Sequence, residues 1–376
     1  AGMGLNAFLA YTVVLGMGYT WQVALLAVFV EGLIFIVLSL TNVREAIFNA
    51  IPLTLKRGVS GGLGLFICFI GLQNAGLAVD SSTLVTITSF TENFNTHGIC
   101  ALLALVGLFI MAALYIHHVR GAILLGILAT WIIGMICQVV VIYVPDPANG
   151  FYTLFPTMAL TDFSKLGMTF GQCFNVDFSN VGIVNFIIVV FSFLFVDIFD
   201  TLGTLIGVAT KADMLDEEGR LPGIKPALMA DAIGTPVGAV MGTSTITTFV
   251  ESASGVAVGG RTGLTALTTA VLFLACMFLA PIAAIIPGAA TSAALIYVGV
   301  LMLQGLKNVD FSDMDQMLPV SIMLIGMPIS GSIGHAIGLG LISYTVVKVF
   351  SGKAKDVSVL TYVISALFLV KFFAVV

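Results

Sequence analysis

Charged residues are scarce in this chain of 376 residues. They make up 9% of the sequence, whereas 59% of it is hydrophobic. A soluble globular protein carries about 25% charged residues, which it needs to solvate its surface. The shortage excludes an ordinary soluble domain and indicates that lipid surrounds most of the molecule.

Cysteine and basic runs are also in short supply. The five cysteines are scattered without the paired spacing of a metal site, and a cysteine in an apolar helix behaves as a small hydrophobe. The net charge is −5, and no basic stripe suits nucleic acid. Nucleophile-elbow, zinc-protease and phosphate-loop motifs are missing as well. We therefore expect no enzyme, no metal site and no nucleic-acid partner.

Long apolar runs are what the sequence has in plenty. Continuous stretches such as 23–40, 101–116 and 265–286 are close to the length that crosses a bilayer core. In lipid, only helices and closed barrels satisfy their own backbone hydrogen bonds. The runs do not alternate between polar and apolar residues, so they predict an all-α polytopic protein that crosses the cell membrane several times.

Two polar, glycine-rich segments interrupt this pattern. Residues 2–6 read GMGLN, residues 242–245 read GTST, and each segment precedes an Ile-Pro pair, at 51–52 and 286–287. Corresponding interruptions in two halves of a membrane protein point to a transporter's binding site. Chance similarity remains the alternative, because a single sequence cannot exclude it.

Asp197 and Asp200 lie in the apolar run FVDIFDTLGT, and their spacing places both on one helix face. A carboxylate inside a membrane span costs about 2.5–3.5 kcal/mol on insertion scales. Two of them so close would repel each other, which suits a group that takes up a proton. The alternative is a helix end near the cytoplasm, because Lys211 follows. We favour a functional role.

Glu251 ends the hydroxyl-rich run GTSTITTFVE at 242–251. Non-helical backbone at membrane depth is tolerated where it lines a cavity, and the N-terminus of a following half-helix would face a ligand. The alternative is an extramembrane loop, against which the flanking apolar helices argue. Glu31 stands alone in an apolar run, where a proton relay and a simple bond to a neighbouring helix are equally good interpretations.

Three of these segments carry a family resemblance. GMGLNAFLAYT at 2–12, FVDIFDTLGT at 195–204 and GTSTITTFVES at 242–252 resemble the adenine/guanine/hypoxanthine permeases, the AzgA-like branch of the nucleobase–cation symporter-2 superfamily. The similarity covers essentially the whole chain. It implies a seven-plus-seven inverted-repeat transporter with two short strands in half-helices at the membrane centre, here lacking the first two helices.

The resemblance also implies a division into a core domain, a gate domain and two further segments. The expected boundaries are 1–43 (core, third and fourth helices of the first repeat), 44–145 (first gate segment), 146–180 (extracellular loop), 181–288 (core, second repeat), 289–350 (second gate segment) and 351–376 (C-terminal hydrophobic segment). A homodimer through the gate domain fits the family.

Site residues follow from the same resemblance, residue by residue. The implied substrate-binding residues are Asp200, Glu251, Asn6, Gly4, Thr204, Phe249 and Val250. The proton is the implied coupling ion, and its candidate carriers are Asp197, Asp200, Glu251 and Glu31. One departure is His335, which stands where we expect an acidic residue in the late Pro-to-Gly hairpin.

The sequence-based hypothesis is therefore import of purine nucleobases (hypoxanthine, guanine or adenine) by proton symport across the plasma or inner membrane. The alternative is a transporter or channel for another small solute or an anion on the same fold. Carboxylates at the site disfavour anionic cargo.

Overall fold

The computed structural model of the protein describes residues 5–6, 8–82, 84–119, 121–156, 161, 163–178, 181–278 and 286–374. Helices dominate, which confirms the predicted all-α class. In chain order the α-helices are α1 (Trp21–Leu40), α2 (Val43–Ala50), α3 (Leu53–Asn74), α4 (Ile99–Ile116), α5 (Ala122–Val139), α6 (Leu166–Thr169), α7 (Ile183–Lys211), α8 (Ile224–Met241), α9 (Ser252–Ala257), α10 (Gly263–Phe278), α11 (Gly288–Met302), α12 (Met314–Ser330), α13 (Ile333–Phe350) and α14 (Val359–Ala374). π-Helical segments at Phe8–Gly16 and Phe94–Gly98 precede α1 and α4.

Seven helical segments among the described residues are long and apolar enough to cross a membrane. They are Trp21–Leu40, Leu53–Asn74, Phe94–Ile116, Ala122–Val139, Ile183–Lys211, Gly288–Lys307 and Ile333–Phe350. At a rise of about 1.5 Å per residue, a helix of 20 residues spans about 30 Å, the thickness of the hydrocarbon core. The chain is a multi-pass membrane protein, as its composition predicts.

The chain divides into two compact units. The first unit consists of Ala1–Leu63, Phe163–Val250 and Gln304–Val376, and the second of Gly64–Asp162 and Glu251–Leu303. Helix α3 begins in the first unit and continues into the second. The predicted division into core and gate domains is a separate question, and it stays a prediction.

In the first unit, α1 packs against α7 and α8, while α13 packs against α7, α12 and α14. Helices α1 and α8 approach closely at Gly32, where an added Cβ atom would lie 2.8 Å from the backbone nitrogen of Pro236. The buried apolar core beside this crossing consists of Leu5, Val13, Ala24, Ala27, Val28, Val189, Val190, Phe193 and Ala239. This packing brings the polar residues of α1, α7 and α8 into one interior.

In the second unit, α4 packs against α5 and α11. Gly64, where the part of α3 in this unit begins, and Gly299 in α11 let two backbones meet, because a Cβ atom on either glycine would lie 2.5 Å from the carbonyl oxygen of the other. Every residue of α10 is exposed and most are apolar. Small residues at helix contacts and apolar residues outside are what a lipid-embedded bundle requires.

Two short strands are present, but they lie elsewhere than the sequence analysis placed them. Strands β1 (Ala78–Ser81) and β2 (Leu84–Ile87) form an antiparallel hairpin before α4, with Ala78 opposite Ile87. Residues 243–249 have no strand assignment. Side chains of neighbouring helices hold this segment, since the Thr235 hydroxyl donates to the carbonyl oxygen of Ile246 at 3.0 Å. The other predicted strand falls mainly on residues 1–4, outside the described residues.

Candidate functional site

Helix α7 carries a run of polar side chains into the interior of the first unit. Asp197 and Thr201 are fully buried, Asp200 is 8% exposed and Thr204 is 1% exposed. Their spacing of three and four residues places them along one helix face. Polar groups withdrawn from both water and lipid need partners, and the partners come from α1, α8, α13 and the segment 243–249.

Asp200 is oriented by the start of α13. Its Oδ1 accepts a hydrogen bond of 3.0 Å from the backbone N–H of Gly334, and Ser332 is the N-cap of that helix. The first turn of a helix offers unpaired N–H groups and positive partial charge, so it favours a carboxylate. One oxygen of Asp200 is thereby fixed, and the carboxyl group is held in a defined orientation.

His335 follows Gly334 and meets the last helix. Its Nε2 lies 3.0 Å from Nζ of Lys371 in α14. A lysine ammonium group can only donate, so the imidazole nitrogen accepts. Lys371 also lies over the ring of Phe195, 5.0 Å from its centroid. The histidine that departs from the family's acidic residue is thus paired with a cation.

Glu31 connects α1 to the segment 243–249. Its side chain is fully buried, and its Oε2 accepts a hydrogen bond of 2.9 Å from Thr245. In the same segment, the hydroxyls of Thr247 and Thr201 lie 2.8 Å apart. The sequence left two interpretations of Glu31, a proton relay and a bond to a neighbouring helix. The structure shows a bond to the neighbouring segment 243–249.

The segment 243–249 also meets the N-terminal region. The Ser244 hydroxyl donates a hydrogen bond to Oδ1 of Asn6. The two interrupted segments singled out in the sequence therefore touch each other, although the described residues of the first one, Leu5 and Asn6, are helical. Gly4 lies outside the described residues.

Two further charged residues complete the cluster, and the sequence analysis did not single them out. Arg44 in α2 is fully buried, and its Nη2 donates to Oδ2 of Asp231 in α8 at 2.7 Å. Its Nη1 donates to the carbonyl oxygen of Leu228 at 3.0 Å, and the guanidinium group stacks on Phe35. Asp231 could have been noticed, because it interrupts an apolar run as Asp197 does. Arg44 carries no such signal, since it follows the end of α1 and resembles a loop cation.

The remaining predicted site residues follow one another at positions 249–251, where the chain passes from the first unit to the second. Phe249 is 46% exposed, and Val250, which is partly buried, is the last residue of its segment of the first unit. Glu251 is exposed and stands at the N-cap of α9, in the second unit. The roles of these residues stay predictions.

Buried carboxylates in spanning helices are expensive, and they are typical of substrate and ion pathways. In the first unit, α1, α7 and α8 together bury four carboxylates and α2 buries one guanidinium group; they are Glu31, Asp197, Asp200, Asp231 and Arg44. Such an arrangement can accept hydrogen bonds from a neutral, donor-rich solute and can hold a proton. These are properties expected of a transport site.

Comparison with known proteins gives the family of the chain. Residues 1–331 match the Permease family. A protein of Methanocaldococcus jannaschii named only as a permease is 45% identical over 372 residues, which cover 99% of this chain and 80% of that one.

Two further relatives have more specific names. The guanine/hypoxanthine permease PbuO of Bacillus subtilis is 43% identical, with 99% of this chain and 83% of its own length covered. The adenine permease AdeP of Escherichia coli is 40% identical, with 98% and 78% covered. With a family match over most of its length and relatives of this similarity, the chain belongs to the Permease family and is a membrane transporter rather than an enzyme.

Proposed function

We propose that this permease carries purine nucleobases into the cell across the cell membrane, with the proton as the coupling ion. The observation that carries the proposal is the buried Asp200, which α13 holds through the Gly334 N–H. Relatives named as guanine/hypoxanthine and adenine permeases support the substrate class.

The chemistry of a purine base suits such a carboxylate. The base is uncharged and flat, and it presents ring N–H and exocyclic amino groups as donors. An ionised carboxylate only accepts, so it pairs with those donors and repels an anion. Asn6 offers an amide with both donor and acceptor atoms from the N-terminal region, and Thr204 lies one helical turn beyond Asp200 on the same face.

Replacing Asp200 tests the assignment. We expect Asp200→Ala to weaken purine binding, because a hydrogen bond to a charged group contributes about 1.5–3 kcal/mol, or about ten- to a hundredfold in affinity. The measurement is competition by a panel of purines and pyrimidines against labelled hypoxanthine on the purified full-length protein.

Asp356→Ala is the matched control, because Asp356 is exposed in the connection between α13 and α14. It should bind as the wild type does. Wild-type affinity in a folded Asp200→Ala protein would remove Asp200 from the site, and preference for an inorganic anion over every base in the panel would refute the substrate class.

A further inference from the structure

The carboxyl groups of Glu31 on α1 and Asp197 on α7 are neighbours where these two helices pack against each other. Both side chains are fully buried, and neither Oε1 of Glu31 nor Oδ2 of Asp197 has a donor among the described residues. Two ionised carboxylates cannot bond, since each can only accept. A proton on one of them turns it into a donor for the other, so the pair has the chemistry of a proton-binding site.

Charged groups on α2, α7 and α8 lie near this pair. Asp231 on α8 and Asp200 on α7 are the neighbouring carboxyl groups, and Arg44 on α2 is the neighbouring cation. Arg44 is already engaged, because it donates to Asp231 and to the carbonyl oxygen of Leu228. It therefore offsets Asp231 first, and among the described residues no cation donates a hydrogen bond to Glu31 or Asp197.

The pair is linked to the substrate region through Thr201. This hydroxyl lies 3.3 Å from Oδ1 of Asp197 and 3.2 Å from Oδ2 of Asp231. It can donate to only one of them at a time. The charge on Asp197 therefore decides where Thr201 donates, and Thr201 is in turn bonded to Thr247 in the segment 243–249.

A second link runs through Glu31 itself, which holds Thr245 of the same segment. Loss of the shared proton leaves two neighbouring anions, which repel each other. Ser244, next in the chain, holds Asn6. Protonation of the pair is thus tied to the position of the segment beside the proposed substrate site.

We propose that Glu31 and Asp197 together bind the coupling proton, at a site distinct from Asp200, and that the Arg44–Asp231 ion pair positions this site. The inference rests on the proposed function, because it assumes that protons drive transport. In each cycle one proton binds to one of the two carboxylates and is shared with the other, and it later leaves to water, which restores two carboxylates.

Neutral variants of the same shape test this site. In Glu31→Gln the amide N–H donates to Asp197 and the amide oxygen still accepts from Thr245, so the variant imitates the protonated pair. Asp197→Asn imitates it from the other side. We expect both full-length variants in proteoliposomes to keep hypoxanthine counterflow and to lose uptake driven by a proton gradient.

The affinity of the wild type for hypoxanthine should change with pH by at least about fivefold, the lower end of ordinary coupling between two sites. This change should be lost in both variants. Glu217→Gln is the matched control, because Glu217 is exposed in the loop before α8, and it should behave as the wild type. An infrared band of a protonated carboxyl group, present in the wild type, should be missing from both variants.

Gradient-driven uptake at the wild-type level in both variants would overturn the proposal, and so would a carboxyl band that persists in both. Loss of counterflow in folded variants would also overturn it, because the pair would then serve binding. If Glu31→Gln fails to fold, Asp197→Asn and the wild-type band still decide. A wild type whose uptake ignores the proton gradient would refute the proposed function instead, which separates the two failures.

Discussion

At the residue scale, the buried guanidinium group of Arg44 offsets the negative charge of the buried Asp231. We expect Arg44→Met to lower the free energy of unfolding by about 3–5 kcal/mol, because it leaves the buried Asp231 without its partner. Chemical denaturation in detergent micelles measures the change.

Arg44→Lys is the control. It keeps the positive charge, but a single ammonium group replaces the two nitrogens that bond Leu228 and Asp231. It should fall between the wild type and Arg44→Met. Removing both partners, as Arg44→Met with Asp231→Leu, should cost less than the two single changes added together. Equal stability of Arg44→Met and the wild type would show that the ion pair does not stabilise the first unit.

The residues of the buried cluster differ in how far the sequence predicts them. Glu31, Asp197 and Asp200 stand out because each interrupts an apolar run, and burial of all three is confirmed. Their partners could not be predicted. The pairing of Arg44 with Asp231 depends on how α2 comes to lie against α8, 187 positions further along the chain, and one sequence holds no record of that contact.

At the scale of elements, the second unit depends on two backbones that touch. We expect Gly299→Ala to destabilise it by about 1–3 kcal/mol, the usual cost of overpacking. The added methyl group would lie 2.5 Å from the carbonyl oxygen of Gly64 and 2.6 Å from Sγ of Cys68. Thermal unfolding of the purified protein in detergent measures the effect.

Gly263→Ala is the matched control, because a Cβ atom there has open space and Gly263 also belongs to an α-helix of the second unit. It should be neutral or slightly stabilising, since alanine favours a helix more than glycine does. If the two substitutions had the same effect, close approach of α3 and α11 would not be what Gly299 provides.

The sequence predicts an element well where hydrophobicity determines its structure, and poorly where contacts with another segment determine it. Long apolar runs correspond to spanning helices such as α1, α5 and α7, because length and composition alone determine them. No strand is present at 243–249, where the Thr235 hydroxyl donates to the carbonyl oxygen of Ile246, a backbone group that a pairing strand would otherwise engage. The β1–β2 hairpin was not foreseen, since its alternation is too short to stand out from a loop.

At the scale of the whole molecule, multiple membrane spans follow from the composition, and membership of the Permease family follows from the matching sequence. The nature of the cargo and of the driving ion depends on a few buried groups rather than on the fold, because one architecture can carry many solutes. Transport itself must therefore be measured.

The most direct measurement is uptake of labelled hypoxanthine, guanine and adenine by the full-length protein in proteoliposomes under an imposed proton gradient. We predict accumulation above the external concentration when the outside is more acidic, and its collapse when a protonophore is added. An equal sodium gradient at constant pH should have no effect. Accumulation that follows sodium and ignores pH, or absence of purine uptake by a folded protein, would contradict this account.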